Sequence, residues 1–121
     1  CEQGHFFAPS IAVNVPEGDE LARDEVFGPV LSVIPVDSLE QAIDIGNDSD
    51  YGLAAGIHTR DIGKAMRYAR AIEAGQVYIN GYHASGDTVP FGGMKHSGVG
   101  REKGLAALDA YYEIKSVTVT L

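Results

Sequence analysis

The run Pro90-Phe91-Gly92-Gly93-Met94-Lys95-His96-Ser97-Gly98-Val99-Gly100-Arg101-Glu102 gathers glycines, cations and an acid into one stretch. It invites a phosphate-binding reading, because backbone N–H groups in glycine-rich turns can cradle anions. The spacing argues against it. A Walker loop needs Gly-Lys-Ser/Thr in succession, and here Met94 separates Gly93 from Lys95 while His96 separates Lys95 from Ser97. Gly98-Val99-Gly100-Arg101-Glu102-Lys103-Gly104 misses the dinucleotide fingerprint by one residue, and it follows a loop where that fingerprint must follow a strand. Taken alone, these glycines permit tight turns and positive φ angles. Upstream, Glu25-Val26-Phe27-Gly28-Pro29 sets an acid and an aromatic before a turn. No metal site is visible: His5, His58, His83 and His96 are scattered without ligand spacing, and Cys1 stands alone.

Together the motifs say more. Asp24-Glu25-Val26-Phe27-Gly28-Pro29-Val30, then Gly75-Gln76-Val77-Tyr78-Ile79-Asn80, then the glycine-rich run resemble, in that order, the C-terminal part of the NAD(P)-dependent aldehyde dehydrogenases. The resemblance extends from about Gly4 to Leu121. It implies cofactor contacts at Glu25, which would accept hydrogen bonds from the nicotinamide ribose hydroxyls, and at Phe27, which would pack beside the nicotinamide. A carboxylate suits a vicinal diol because it is an acceptor-only group whose two oxygens take two O–H donors at once. The same resemblance places Phe91 on the wall of the substrate tunnel. Alignment on Asn80 and Phe91 puts Ser85 where many members carry an aromatic, a departure expected to widen the tunnel or make it more polar. His83, in the same loop, is read as a bystander. Glu102 matches a residue that can relay protons from the catalytic base toward solvent, and Arg101 one that can pair with an acid near the tail, here Glu113.

In the family, an upstream Cys thiolate attacks the aldehyde, the thiohemiacetal passes hydride to NAD(P)+, and a Glu-activated water hydrolyses the thioester. The resemblance places that Cys, that Glu and the dinucleotide domain outside this chain, so no catalytic residue is assigned here and Cys1 is not the nucleophile. The expectation is a C-terminal fragment of an enzyme oxidising an aldehyde to a carboxylic acid with NAD or NADP, inactive alone. The missing initiator Met is read the same way. Residues 1–112 would be catalytic-domain portion and 113–121 an oligomerisation tail, with Arg101, Glu113, Val117 and Val119 at the interface of a homodimer or homotetramer. The rival reading is a standalone, non-catalytic homologue that joins a full-length enzyme through the same tail as an interaction or decoy subunit.

These residues need elements to hold them. Residues 5–15 read as an extended segment closed by a turn at Pro16-Glu17-Gly18-Asp19. Val30–Val36 is a near-continuous apolar run of strand length, suited to a strand covered on both faces. Asp37 or Ser38, with Glu40 and Gln41 three residues on, predicts a helix ending near Asn47. After a turn at 48–52, Leu53–Thr59 predicts a second strand. Asp61 then caps a helix with an apolar stripe of Ile62, Ala65, Met66, Ala69 and Ile72, stopped by Gly75 at its C′ position. Gln76–Asn80 is a third strand. This alternation implies an α/β fold with an open, mostly parallel sheet and flanking helices. Gly81–Gly98, with five glycines and a proline, reads as a long functional loop. Arg101–Tyr112 predicts a helix, and Lys115–Leu121, alternating with period two, a half-buried edge strand seeking a partner.

Totals narrow the function classes. The 121 residues, 45% hydrophobic and 21% charged, suit one globular domain with a modest core. Nine Lys and Arg against 17 Asp and Glu give a net charge of −8, which argues against nucleic-acid binding and against an anionic membrane surface. One cysteine excludes an internal disulfide, and no signal peptide is read at the N-terminus, so the expected compartment is the cytoplasm.

Overall fold

Parallel strand pairs, each joined through a helix, organise both parts of the chain. The computed structural model describes residues 3–82 and 86–121. They divide into two units, Cys1–Ile45 and Gly46–Leu121. The fold is α/β.

In the first unit, β1 (Ser10–Val13) and β2 (Val30–Val33) pair in parallel, from Ser10 opposite Val30 to Val13 opposite Val33. The connection carries a single helical turn, α1 (Glu20–Arg23), where sequence reading gave a loop. Asp19 caps it by accepting a hydrogen bond from the Leu21 amide at 2.9 Å. Ser32 ties strand to connection by donating its hydroxyl to the Leu21 carbonyl at 2.8 Å. Alternation fixes two faces: Ser10, Ala12, Val30 and Ser32 are half-buried, whereas Ile11, Val13, Leu31 and Val33 are exposed. The expectation that β2 is covered on both faces therefore fails within this chain, where one face stays open. α2 (Leu39–Asn47) follows where its caps predict. Ser38 Oγ accepts from the Gln41 amide at 3.0 Å, and Gln41 Oε1 reaches back past Ser38 to accept from the Asp37 amide at 2.8 Å, a variant of the capping box.

In the second unit, β4 (Ala54–Ile57) and β5 (Gln76–Ile79) form a parallel pair with α3 (Ile62–Ala71) between them. Asp61 caps α3 as expected, accepting from the Lys64 amide at 3.1 Å. Of the predicted stripe, Ala65 is buried and Ala69 and Ile72 half-buried, but Ile62 and Met66 lie exposed. Gly75 does not serve as a left-handed stop, since the chain leaves α3 through an extended Ile72. Its lack of a side chain serves packing instead: a Cβ there would lie 1.7 Å from the Gly92 carbonyl oxygen. Two short strands escaped sequence reading, β3 (Tyr51–Gly52) and β6 (Met94–Lys95), which pair antiparallel. Among the described residues the strands form three two-stranded ladders, two parallel and one antiparallel.

A polar knot closes the ends of both long helices. The Asn47 amide donates to the Ala71 carbonyl at 2.9 Å and accepts from the Glu73 amide at 2.8 Å. Lys95 Nζ donates to the carbonyls of Asn47 and Ser49 at 2.6 and 3.0 Å and pairs with the Glu73 carboxylate at 2.8 Å. Asn47 is the last residue of α2, so the cation on its carbonyl suits the negative end of that helix's dipole.

The predicted helix at Arg101–Tyr112 shrinks to one 3₁₀ segment, Leu105–Ala110. Its first turn is unavailable because Glu102 bridges to Phe91, while Lys103 and Gly104 adopt φ of 59° and 58°, outside helical space. Residues 113–121 are exposed and pair with no strand among the described residues. The edge strand expected there lacks within this chain the partner that a ladder requires.

Candidate functional site

Glu25 and Phe27 sit on the short turn between α1 and β2. Its ends are fixed by backbone: the Asp24 amide donates to the Glu20 carbonyl at 2.8 Å, and Ser10 donates to the Pro29 carbonyl at 2.9 Å as β1 meets β2. Between them Phe27 adopts φ 56° and is 91% exposed. A bulky residue at positive φ costs about 1–2 kcal/mol, a strain that recurs at ligand-binding positions. The turn thus presents an aromatic ring and, two residues before it, an exposed carboxylate.

The Phe91 arm, in the second unit, is held by many more ties. Phe91 and Glu102 exchange both backbone hydrogen bonds, each 2.7 Å. Gln76, buried at the head of β5, donates its side-chain amide to the Pro90 carbonyl at 2.8 Å and to the Gly75 carbonyl at 2.9 Å. The Arg101 guanidinium donates to the carbonyls of Gly93 and Gly100 at 2.8 and 2.7 Å. Ser97 Oγ accepts from the Gly52 amide at 2.9 Å, and the Gly104 amide donates to the Asp87 carbonyl at 3.0 Å. At Gly92 an added Cβ would lie 2.6 Å from the Gly100 carbonyl oxygen. An open groove of about 360 Å³ runs beside the arm, lined by Leu53, Phe91, Val99, Arg101, Glu102 and Ala110. A second, of about 370 Å³, lies along β5 and touches Gln76, Tyr78, Val89 and Pro90.

Phe91, Arg101 and Glu102 are therefore brought together. Arg101 spends its guanidinium on loop carbonyls, and among the described residues it makes no ion pair with Glu113, which is exposed. Val117 and Val119 are exposed by 77% and 75%. Ser85, His83 and Cys1 lie outside the described residues. Sequence reading missed Gln76 and Lys95, single polar side chains whose partners are distant in the chain and leave no periodic signal.

Two tyrosines have raised pKa values. Burial lifts Tyr68 above 10.0, with a smaller contribution from Tyr82, whose ring packs 4.9 Å from that of Tyr78. Tyr112 is lifted chiefly by its hydrogen bond to Asp109, at 2.5 Å, and secondarily by desolvation. Among the described residues no cluster of His, Cys, Asp and Glu is placed to hold a metal ion, and no helix is long and apolar enough to cross a membrane.

The model of the aldehyde dehydrogenase family matches residues 1–117. The chain belongs to the aldehyde dehydrogenase family. It is 47% identical over 113 residues to the NADP/NAD-dependent aldehyde dehydrogenase PuuC of Escherichia coli, covering 93% of this chain and 23% of that one. It is 46% identical over 119 residues to aldehyde dehydrogenase [NAD(P)+] 2 of Saccharomyces cerevisiae, covering 98% and 24%. Among solved structures, the indole-3-acetaldehyde dehydrogenase AldA of P. syringae, in complex with NAD+ and IAA, superposes with a TM-score of 0.86 at 48% identity, covering 92% of this chain and 22% of that one. This aldehyde dehydrogenase chain thus spans about a quarter of the length of the curated relatives it matches.

Proposed function

We propose that the chain is the C-terminal portion of an NAD(P)-dependent aldehyde dehydrogenase, in which it positions the nicotinamide end of the cofactor, walls the aldehyde tunnel and joins subunits. The observation that carries this reading is the Glu25–Phe27 turn. A strained, 91% exposed phenylalanine beside an exposed carboxylate is a poor choice for packing within this chain and a good one for meeting a ribose diol and an aromatic ring. Phe91, clamped from both neighbours, provides a fixed aromatic surface for the tunnel. Glu102, which lines the adjoining groove, serves in this reading to pass protons toward solvent. The unpaired tail, residues 113–121, adds as a strand to a second copy of the enzyme, burying Val117 and Val119 and bringing Glu113 to the interface with Arg101. The nucleophilic Cys and the Glu base belong to the part of the enzyme beyond this segment. The open apolar face of β1 and β2 fits the same reading, since parallel strands are ordinarily covered on both sides.

The test uses the native protein captured from its source cells, whose intact mass should be several times 12.8 kDa. In that protein, Glu25→Gln should raise KM for NAD(P)+ by about tenfold, the equivalent of one charge-assisted hydrogen bond, while thermal stability stays unchanged. An unaltered KM overturns the cofactor role of Glu25. A native mass near 12.8 kDa overturns the fragment reading.

A further inference from the structure

We propose that Gln76 is a positioning residue that sets where the Phe91 ring stands, and through it which aldehydes the enzyme accepts. The proposal rests on the tunnel role of Phe91 given above. Gln76 is 7% exposed, and its side-chain NH₂ is committed to two carbonyls, those of Gly75 and Pro90. Gly75 is its own neighbour. Pro90 is fourteen residues away, immediately before Phe91.

Proline explains why this contact matters. Pro90 has no N–H, so its carbonyl is its one backbone handle for hydrogen bonding. Phe91, in turn, has its amide and carbonyl both occupied by Glu102. A single rung of that kind fixes a point on the chain but leaves rotation about it. The second fixed point, at the Pro90 carbonyl, comes from Gln76. On the other side Gly92 lies against Gly75, the residue next to Gln76, with no room for a Cβ between them. The head of β5 therefore holds both neighbours of Phe91, one by a hydrogen bond and one by contact. Withdrawing the hydrogen bond frees the Pro90 side and lets the ring tilt about the Glu102 rung.

Gln76→Met in the full-length protein keeps the length and burial of the side chain and removes the donor. The ratio of kcat/KM for a bulky aromatic aldehyde to that for a short aliphatic one should change on the order of tenfold, the scale on which pocket shape discriminates substrates. KM for NAD(P)+ should hold, and amide hydrogen exchange at residues 91–93 should quicken with β5 unaffected. If Gln76→Met does not fold, Gln76→Asn withdraws the same donor by one methylene and carries the same expectation. A uniform fall for all aldehydes, or an unchanged ratio, makes Gln76 merely structural and overturns the proposal. A wild-type protein that oxidises no aldehyde with NAD(P)+ overturns instead the reading on which it stands.

Discussion

The turn bearing Glu25 and Phe27 and the arm bearing Phe91 are held by different means. The turn takes its shape from its two ends, the Glu20 carbonyl of α1 and the start of β2, and between them its residues are exposed and one is strained. The arm is braced along its length by Gln76, Arg101, Ser97 and the Glu102 bridge, and by glycines packed at distances no side chain could share. The difference suits the two tasks proposed for these regions. A residue meeting a mobile cofactor from outside needs exposure and one fixed backbone angle. A wall that discriminates substrates must not give way, so it draws rigidity from close packing and satisfied carbonyls.

If the arm is as rigid as its contacts require, the largest effect should come from Gly75→Ala. The new methyl would overlap the Gly92 carbonyl, a backbone group that cannot swing aside as a side chain would, and the strand or the arm must move. A loss of about 3 kcal/mol is expected, at the upper end for overpacking; denaturant unfolding of the full-length protein measures it, and an unchanged midpoint would mean that the arm yields easily. Next comes Lys95→Met, which strips the cation from the Asn47 and Ser49 carbonyls and from Glu73. Here a loss of about 1–3 kcal/mol is expected, the range for partly buried groups left without their charged partner, with a matching fall in melting temperature. A null result would assign the knot no part in bracing β6. The smallest effect belongs to the turn. Phe27→Gly relieves the left-handed strain at the cost of chain entropy, so stability should be unchanged or rise by up to about 1 kcal/mol, even as KM for NAD(P)+ increases. A destabilised Phe27→Gly protein would erase the contrast, because the ring would then be packing rather than presenting.

Much of this was legible from sequence where the cause is local. Ser38 with Gln41, and Asp61, announce their helices because a cap is a short-range hydrogen bond between fixed offsets. β2, β4 and β5 follow from runs of apolar residues. The proposed roles of Glu25, Phe27 and Phe91 come from the family's motifs and not from any geometry. What escaped depends on partners far away. β3 and β6 are two residues each, too short for any periodicity, and exist because Tyr51 meets Lys95 across the chain. Gly75 reads as a helix stop until Gly92 is placed against it. The helix expected from Arg101 fails for a similar reason: the Phe91 rung takes Glu102, and positive φ at Lys103 and Gly104 postpones the first turn. Gln76 in a strand-start position looked like an ordinary polar residue, and its meaning lies in Pro90.

One residue at the far end of β5 has an effect on how this scaffold can change. Asn80, at φ 56°, turns the backbone away while its side chain carries on, accepting from the Thr59 amide at 2.7 Å and donating to the Thr59 carbonyl at 2.8 Å. The amide group stands in for one more peptide unit, and the β4–β5 ladder finishes on a side chain. Register is thereby settled before Gly81. Changes at Asn80 therefore act on the end of the ladder itself: a side chain unable both to donate and to accept would leave the Thr59 amide and carbonyl without these partners and shorten the ladder by one rung.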